Sequence, residues 1–242
     1  MSSMNPNNSS PVPPDTSAAA TRKPREDGLR SRQAILLAAA NLATTRGLEG
    51  LSLGQLAEQI GMSKSGLYAH FKSKEELELA TIETAAEIFE REVLVPAGQS
   101  PAGLDRVWAL AEAFLAHLER RVFPGGCFFA AAAAQLAAQP GRARDRVMAM
   151  HQQWQKLFID ALRQAVDEGA LPRTVDLEQT GFEITAMLLR ANFTWIVTGD
   201  AGALDQARAG IRHVLDRAAG SGKHKGRPVS RRKGSRSSRG RS

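Results

Sequence analysis

The chain of 242 residues contains a single cysteine, Cys127. That excludes an internal disulfide, and a lone thiol fits a reducing, cytoplasmic compartment. A structural zinc site lacks its ligands as well, because one Cys cannot supply them and the five histidines show no zinc spacing. Long apolar runs are missing: no stretch of about 20 such residues occurs, so no membrane span is expected. Hairpin signals and internal repeats are absent, β-branched runs are scarce and alanine is abundant, which favours an all-α chain. Aromatic residues amount to only 5%. Their placement is therefore informative.

Acidic residues are missing from one end. Of 32 Lys and Arg, nine lie in residues 221–242, which hold no Asp or Glu; the rest of the chain carries 23 basic against 25 acidic residues. The net charge of +7 suggests an anionic partner. The slightly acidic body cannot engage it by bulk charge and needs a local cluster. Residues 220–242 are expected to be a disordered basic tail. Residues 1–29, rich in Pro, Ser and Asn and without an apolar signal-peptide segment, are expected to be a disordered leader.

What is present centres on SLGQLAEQIGMSKSGLYAHF, Ser52 to Phe71, followed by KSKEEL. Ser52 with Gln55 forms a capping-box pattern, and Leu53, Leu56, Ala57 and Ile60 line one helix face. Gly61 supplies the positive φ of a sharp exit. Ser63 can cap a second short helix, from about Lys64 to His70, with Leu67 and Phe71 turned inward. Two such helices make a helix-turn-helix, whose second helix enters the major groove. Its outward groups, Ser63, Lys64, Ser65, Tyr68 and His70, suit phosphate oxygens and base edges. Ser73 and Glu76 form another capping box, and Lys74 falls in the first turn of the helix it opens. Upstream, Ile35, Ala39 and Leu42 share a stripe on a helix from Ser31 to Arg46, stopped by Gly47.

The order and spacing of Ile35, Ala39, Gly47, Ser52, Leu56, Ala57, Gly61, Ser63, Lys64, Leu67, Tyr68, Phe71, Lys74, Glu75 and Leu77 resemble the DNA-binding domain of the TetR family of bacterial regulators. The resemblance covers Arg30 to about Glu83. It implies a homodimer on a double-stranded DNA operator in the bacterial nucleoid, an all-helical effector domain and ligand-released repression. It also implies phosphate contacts by Tyr68 and Lys74, with Ser52 beside them. Ser63, Lys64, Ser65 and His70 become the variable readers. Gly54 departs from the pattern, since a better helix former is usual there.

The expected architecture is thus a three-helix DNA-binding domain, residues 30–77, plus a larger helical ligand-binding and dimerisation domain, residues 78–219. Further helices are expected at about 74–95, ending before Pro96, and at 104–121, 128–138, 143–168, 177–198 and 204–218. The last two are the dimer candidates, through Phe182, Leu189 and Phe193 on one and Leu204, Ile211, Val214 and Leu215 on the other. Trp108, Phe114, Phe128, Trp154 and Phe158, interleaved with His117, His151 and Asn192, suggest a site for a small hydrophobic effector. Asn192 fits either that ligand or a hydrogen bond across the dimer. Cys127, at a helix start, is a candidate redox sensor.

Catalytic motifs and cofactor sites are not evident. GSGK at 220–223 has Arg217 where a phosphate-binding loop needs Gly, and His224 follows the lysine. GMSKSG lacks the nucleophile-elbow spacing. The tail run Lys225-Gly226-Arg227-Pro228 resembles an AT-hook, in which Arg227 would enter a narrow A·T minor groove. A competing reading is therefore an architectural, weakly specific DNA-binding protein that acts through this tail.

Overall fold

The structure, a computed structural model, describes residues 17–48, 50–138 and 140–220. The tail 221–242, with Arg227, and residues 1–16 of the leader lie outside the described residues. Among the described residues there is no strand, and the fold is all-α.

The described residues form two compact units, one reaching to Ile88 and taking in Phe123–Met148, the other made of Phe89–Val122 with the chain from Ala149 onward. In the first, α1 spans Ser17–Arg46, α2 Leu53–Gln59, α3 Lys64–His70 and α4 Lys74–Phe89. Helix α1 begins inside the segment expected to be a leader, where Ala18, Ala19 and Ala20 are strong helix formers. Its stripe of Ile35, Ala39 and Leu42 is buried, with Leu56, Ala57, Leu67, Phe71 and Leu77 from the next three helices. Each such Leu or Ile contributes about 1.5–3 kcal/mol by leaving water. Gly47 and Gly61 have φ of 90° and 69°, the left-handed exits expected of them.

Helix α7, Phe128–Leu136, belongs to this first unit, whereas its place in the sequence suggests the C-terminal domain. Two hydrogen bonds hold the segment against the end of α1. Gly125 N–H donates to Thr44 Oγ1 at 3.1 Å, and Leu48 N–H donates to Gln135 Oε1 at 2.8 Å. The approach is close at Gly125: a Cβ there would fall on the Thr44 carbonyl and within 2.8 Å of the Thr44 Cβ.

The helix begun by α4 does not end before Pro96. A π-turn at Glu90–Leu94 follows, with Val95 N–H bonded back to Glu90 O, and a short α5 covers Val95–Gly98. Restarting at Val95 puts Pro96 in a first turn, where its missing N–H is not needed. The second unit continues with α6, Leu104–Glu119, then most of α8, Arg142–Asp167, and with α9, Leu177–Thr198, and α10, Gly202–Gly220. Asp176 caps α9 by accepting from Gln179 N–H at 3.0 Å. Helices α9 and α10 pack closely, since a Cβ on Gly210 would meet Met187 Sδ at 2.5 Å.

Leu204, Ile211 and Val214 are buried within the subunit. Leu215 is half-buried. Phe182, Leu189 and Phe193 remain 61%, 52% and 56% exposed, and Val197 joins them at 65%. With Ala186, also exposed, they recur every three or four residues and form one apolar stripe along α9. No described helix is long and apolar enough to cross a membrane.

Candidate functional site

Helices α2 and α3 are built by their caps. Ser52 Oγ accepts from Gln55 N–H at 3.1 Å, and Ser63 Oγ accepts from Gly66 N–H at 3.0 Å. Each cap contributes about 1 kcal/mol. Leu67 is fully buried, which fixes the opposite face of α3 outward. On that face Ser63, Lys64, Ser65 and Tyr68 are exposed, Tyr68 at 55%, and His70 is half-buried. Ser63 and Ser65 hydroxyls lie 3.1 Å apart. The surface is short, polar and mostly uncharged, with one ammonium, and it suits base edges and phosphates more than a protein core. Ser52 is exposed beside it at the start of α2.

The unusual Gly54 has a structural reason. A Cβ there would lie 3.1 Å from Cε of Lys64 and 3.5 Å from its Nζ, so the lysine side chain rests over this glycine. The α3–α4 turn is held by the second capping box: Ser73 Oγ accepts from Glu76 N–H at 3.1 Å, and Glu76 Oε2 accepts from Lys72 N–H at 2.9 Å. Lys74 is half exposed and 3.6 Å from Glu78, an i,i+4 surface pair of small energetic weight. A groove of 310 Å³ beside this turn is lined by Ser73, Glu75, Glu76, Leu79, Glu83 and Arg142. Its carboxylates make it unsuited to phosphate, and Arg146 clamps Glu83 with two bonds of 2.6 and 2.8 Å that hold the Glu83 carboxyl below its usual range.

In the second unit four of the expected effector residues converge. Phe114, His117 and Trp154 surround Phe89, with ring centroids 6.4, 6.0 and 5.3 Å from it. Phe158 packs edge-on to Trp154 at 4.9 Å. Burial drives the His117 imidazole down to about 4, ahead of the opposing influence of Glu92, so it is neutral at neutral pH. Sequence pattern misses Phe89, because it closes a helix that starts in the DNA-binding region; its aromatic type in an aromatic-poor chain is the available signal. Trp108 stands apart under the Arg212 guanidinium, at 5.2 Å. Asn192 is buried on α9, and His151 is half-buried on α8. Phe128 packs in the first unit with Phe123 and Phe129, at 6.1 and 5.4 Å. Cys127 is buried there as well, and burial pushes its thiol pKa up despite nearby backbone N–H groups. Burial and a raised thiol pKa give no support to a redox-sensing role.

This geometry is that of a helix-turn-helix DNA-binding protein. Residues 35–81 match the family of bacterial regulatory proteins called tetR, and residues 103–211 match the tetracyclin repressor-like C-terminal domain. The chain belongs to the TetR family of transcriptional regulators. Over 56 residues it is 36% identical to the HTH-type transcriptional regulator AcrR of Shigella flexneri, a match that spans 23% of this chain and 26% of that protein. A TetR transcriptional regulator from Chloroflexus aurantiacus shares the fold, with a TM-score of 0.72 and 24% identity over 79% of this chain and 96% of that one. AibR, solved in complex with isovaleryl coenzyme A and operator DNA, aligns with a TM-score of 0.59 and 24% identity over 78% of this chain and 96% of its own.

Proposed function

We propose that this DNA-binding regulator is a ligand-responsive repressor that binds a pseudo-palindromic operator as a homodimer. The observation that carries the reading is the exposed polar face of α3, set by buried Leu67, together with the apolar stripe on α9. The first is a reading surface and the second a self-complementary one. The operator complex of AibR supports the DNA role, and its acyl-coenzyme A ligand supports an effector with an apolar part. The chain's own support for such an effector is the cluster of Phe89, Phe114, His117, Trp154 and Phe158, which offers aromatic faces and one neutral imidazole.

Helix α4 gives the coupling a physical path. Lys74 stands in its first turn and Phe89 is its last residue. An effector that displaces the Phe89 ring moves the element that carries Lys74. It changes DNA affinity only through a difference in its own affinity for the two states, usually about 1–3 kcal/mol.

Selection of bound fragments from a random duplex pool tests the reading, with Tyr68→Ala alongside. The expected result is a two-fold symmetric motif whose enrichment is lost or strongly reduced in the variant. A motif that survives the substitution, or no motif, counts against α3 as the reader. The same pool tests the basic tail. Its nine cations suit sequence-independent phosphate binding, with Arg227 in an A·T minor groove. Truncation after Gly220 is expected to weaken binding and leave the motif unchanged. The dependence of log affinity on log salt should flatten by about 0.9 for each phosphate that the tail neutralises. An unaltered salt slope excludes the tail from DNA binding. Loss of the motif on truncation favours the architectural reading instead.

A further inference from the structure

No sequence pattern singles out Arg32, on α1, yet three of its interactions converge on the exit of the recognition helix. Its guanidinium donates to the His70 carbonyl at 2.5 Å. The same group lies over the Phe71 ring, with Cζ 4.2 Å from the centroid. It also pairs with Glu76 at 3.8 Å. These are the last residue of α3, its C-cap and the third residue of α4. Glu76 is itself the acceptor that holds Lys72 N–H.

A helix of seven residues has little stability of its own. The direction of α3 is therefore set by what holds its two ends. Ser63 holds the start. At the end, the His70 carbonyl has no partner further along α3, because Phe71 turns to extended backbone at φ −137° and ψ 120°. Arg32 supplies that partner from α1 and clamps the ring that anchors the turn. Only a planar fork stacks on an aromatic face and donates in its plane at the same time.

We propose that Arg32 is a positioning residue for DNA reading: it fixes the angle at which α3 leaves the body of the domain, and so the placement of the readers Lys64, Ser65 and His70. This inference rests on the proposal that α3 reads an operator. Arg32 acts through His70, Phe71 and Glu76 and touches no DNA in this role, so its removal affects discrimination more than general phosphate affinity.

The test compares the full-length wild type, Arg32→Lys and Arg32→Ala on the duplex selected by the wild type and on a random duplex. Amide hydrogen exchange is followed in the absence of DNA. Arg32→Ala is expected to bind the selected duplex roughly tenfold more weakly. Its affinity for random duplex should stay within about twofold. Exchange should speed up over residues 70–77 and stay unchanged in α9. Arg32→Lys keeps the charge for Glu76 but cannot stack and donate together, and should fall between the two. Equal losses on both duplexes make Arg32 a phosphate-binding or folding residue and overturn the proposal. Unaltered exchange over residues 70–77 overturns it too. A wild type that selects no duplex defeats the operator reading itself, a result the exchange data keep apart from a failure of the clamp.

Discussion

Phe193→Glu is expected to convert the protein to a monomer and to weaken operator binding by at least about a hundredfold, because the two half-sites are then no longer engaged by one linked pair of heads. Phe193 is 56% exposed in the subunit and lies in the middle of the stripe formed by Phe182, Leu189 and Val197. A two-fold interface brings each residue of such a stripe near its own symmetry mate or close neighbours. The substitution therefore introduces two carboxylates into an apolar interface, at a cost of several kcal/mol per uncompensated charge. The subunit itself loses little, chiefly the approach of Arg190 to the Phe193 ring at 5.6 Å. Sedimentation equilibrium with helicity measured in parallel checks this. A folded variant that remains a dimer and keeps its operator affinity excludes the α9 stripe as the interface. Ile211→Glu provides the contrast: Ile211 is fully buried, so the subunit itself should be destabilised.

Gly125→Ala should produce a large loss of stability from a single methyl group. The added carbon would overlap the Thr44 carbonyl, which is backbone and cannot swing aside as a flexible side-chain end can. Accommodation requires the turn to back away from α1, which breaks the 3.1 Å bond from Gly125 N–H to Thr44 Oγ1. Overpacking of this kind costs about 1–3 kcal/mol, and the broken bond adds roughly 1 kcal/mol. At about 2–4 °C per kcal/mol for a chain of this size, the thermal midpoint should drop by roughly 5–15 °C. Gly98→Ala is the control. It sits in α5 with nothing within 4 Å of an added Cβ, and should be neutral or stabilising by up to about 1 kcal/mol. Equal midpoints for the two variants would show that the turn at Gly125 is loose enough to yield.

Local signals make the reading head legible. Ser52, Ser63 and Ser73 each accept the backbone bond that their position in the sequence promises, and Gly47 and Gly61 adopt the left-handed exits. These features depend on neighbours a few residues away. Periodicity is less informative in α10, because it tells that Leu204, Ile211 and Val214 are buried without telling against what. They pack inside the subunit, and the surface left over is on α9. Proximity in sequence to α6 groups Phe128 with the effector aromatics. The bonds from Gly125 and Leu48 instead tie its segment to α1. Arg32 and His70 are 38 residues apart, and nothing in a single sequence marks that pair. Phe89 escapes for a related reason, since its partners Phe114 and Trp154 come from helices far along the chain.

The π-turn at Glu90–Leu94 bears on how the length of this helix can vary. Such a turn is one surplus residue held within an otherwise α-helical ladder. The surplus is absorbed locally, so residues on either side keep the facing they would have in a helix one residue shorter. A chain lacking one residue between Glu90 and Leu94 would run there as an unbroken α-helix, its flanking residues keeping their faces. In an alignment of related chains, a single-residue gap at this place would mark the removal of a dislocation and no change of fold.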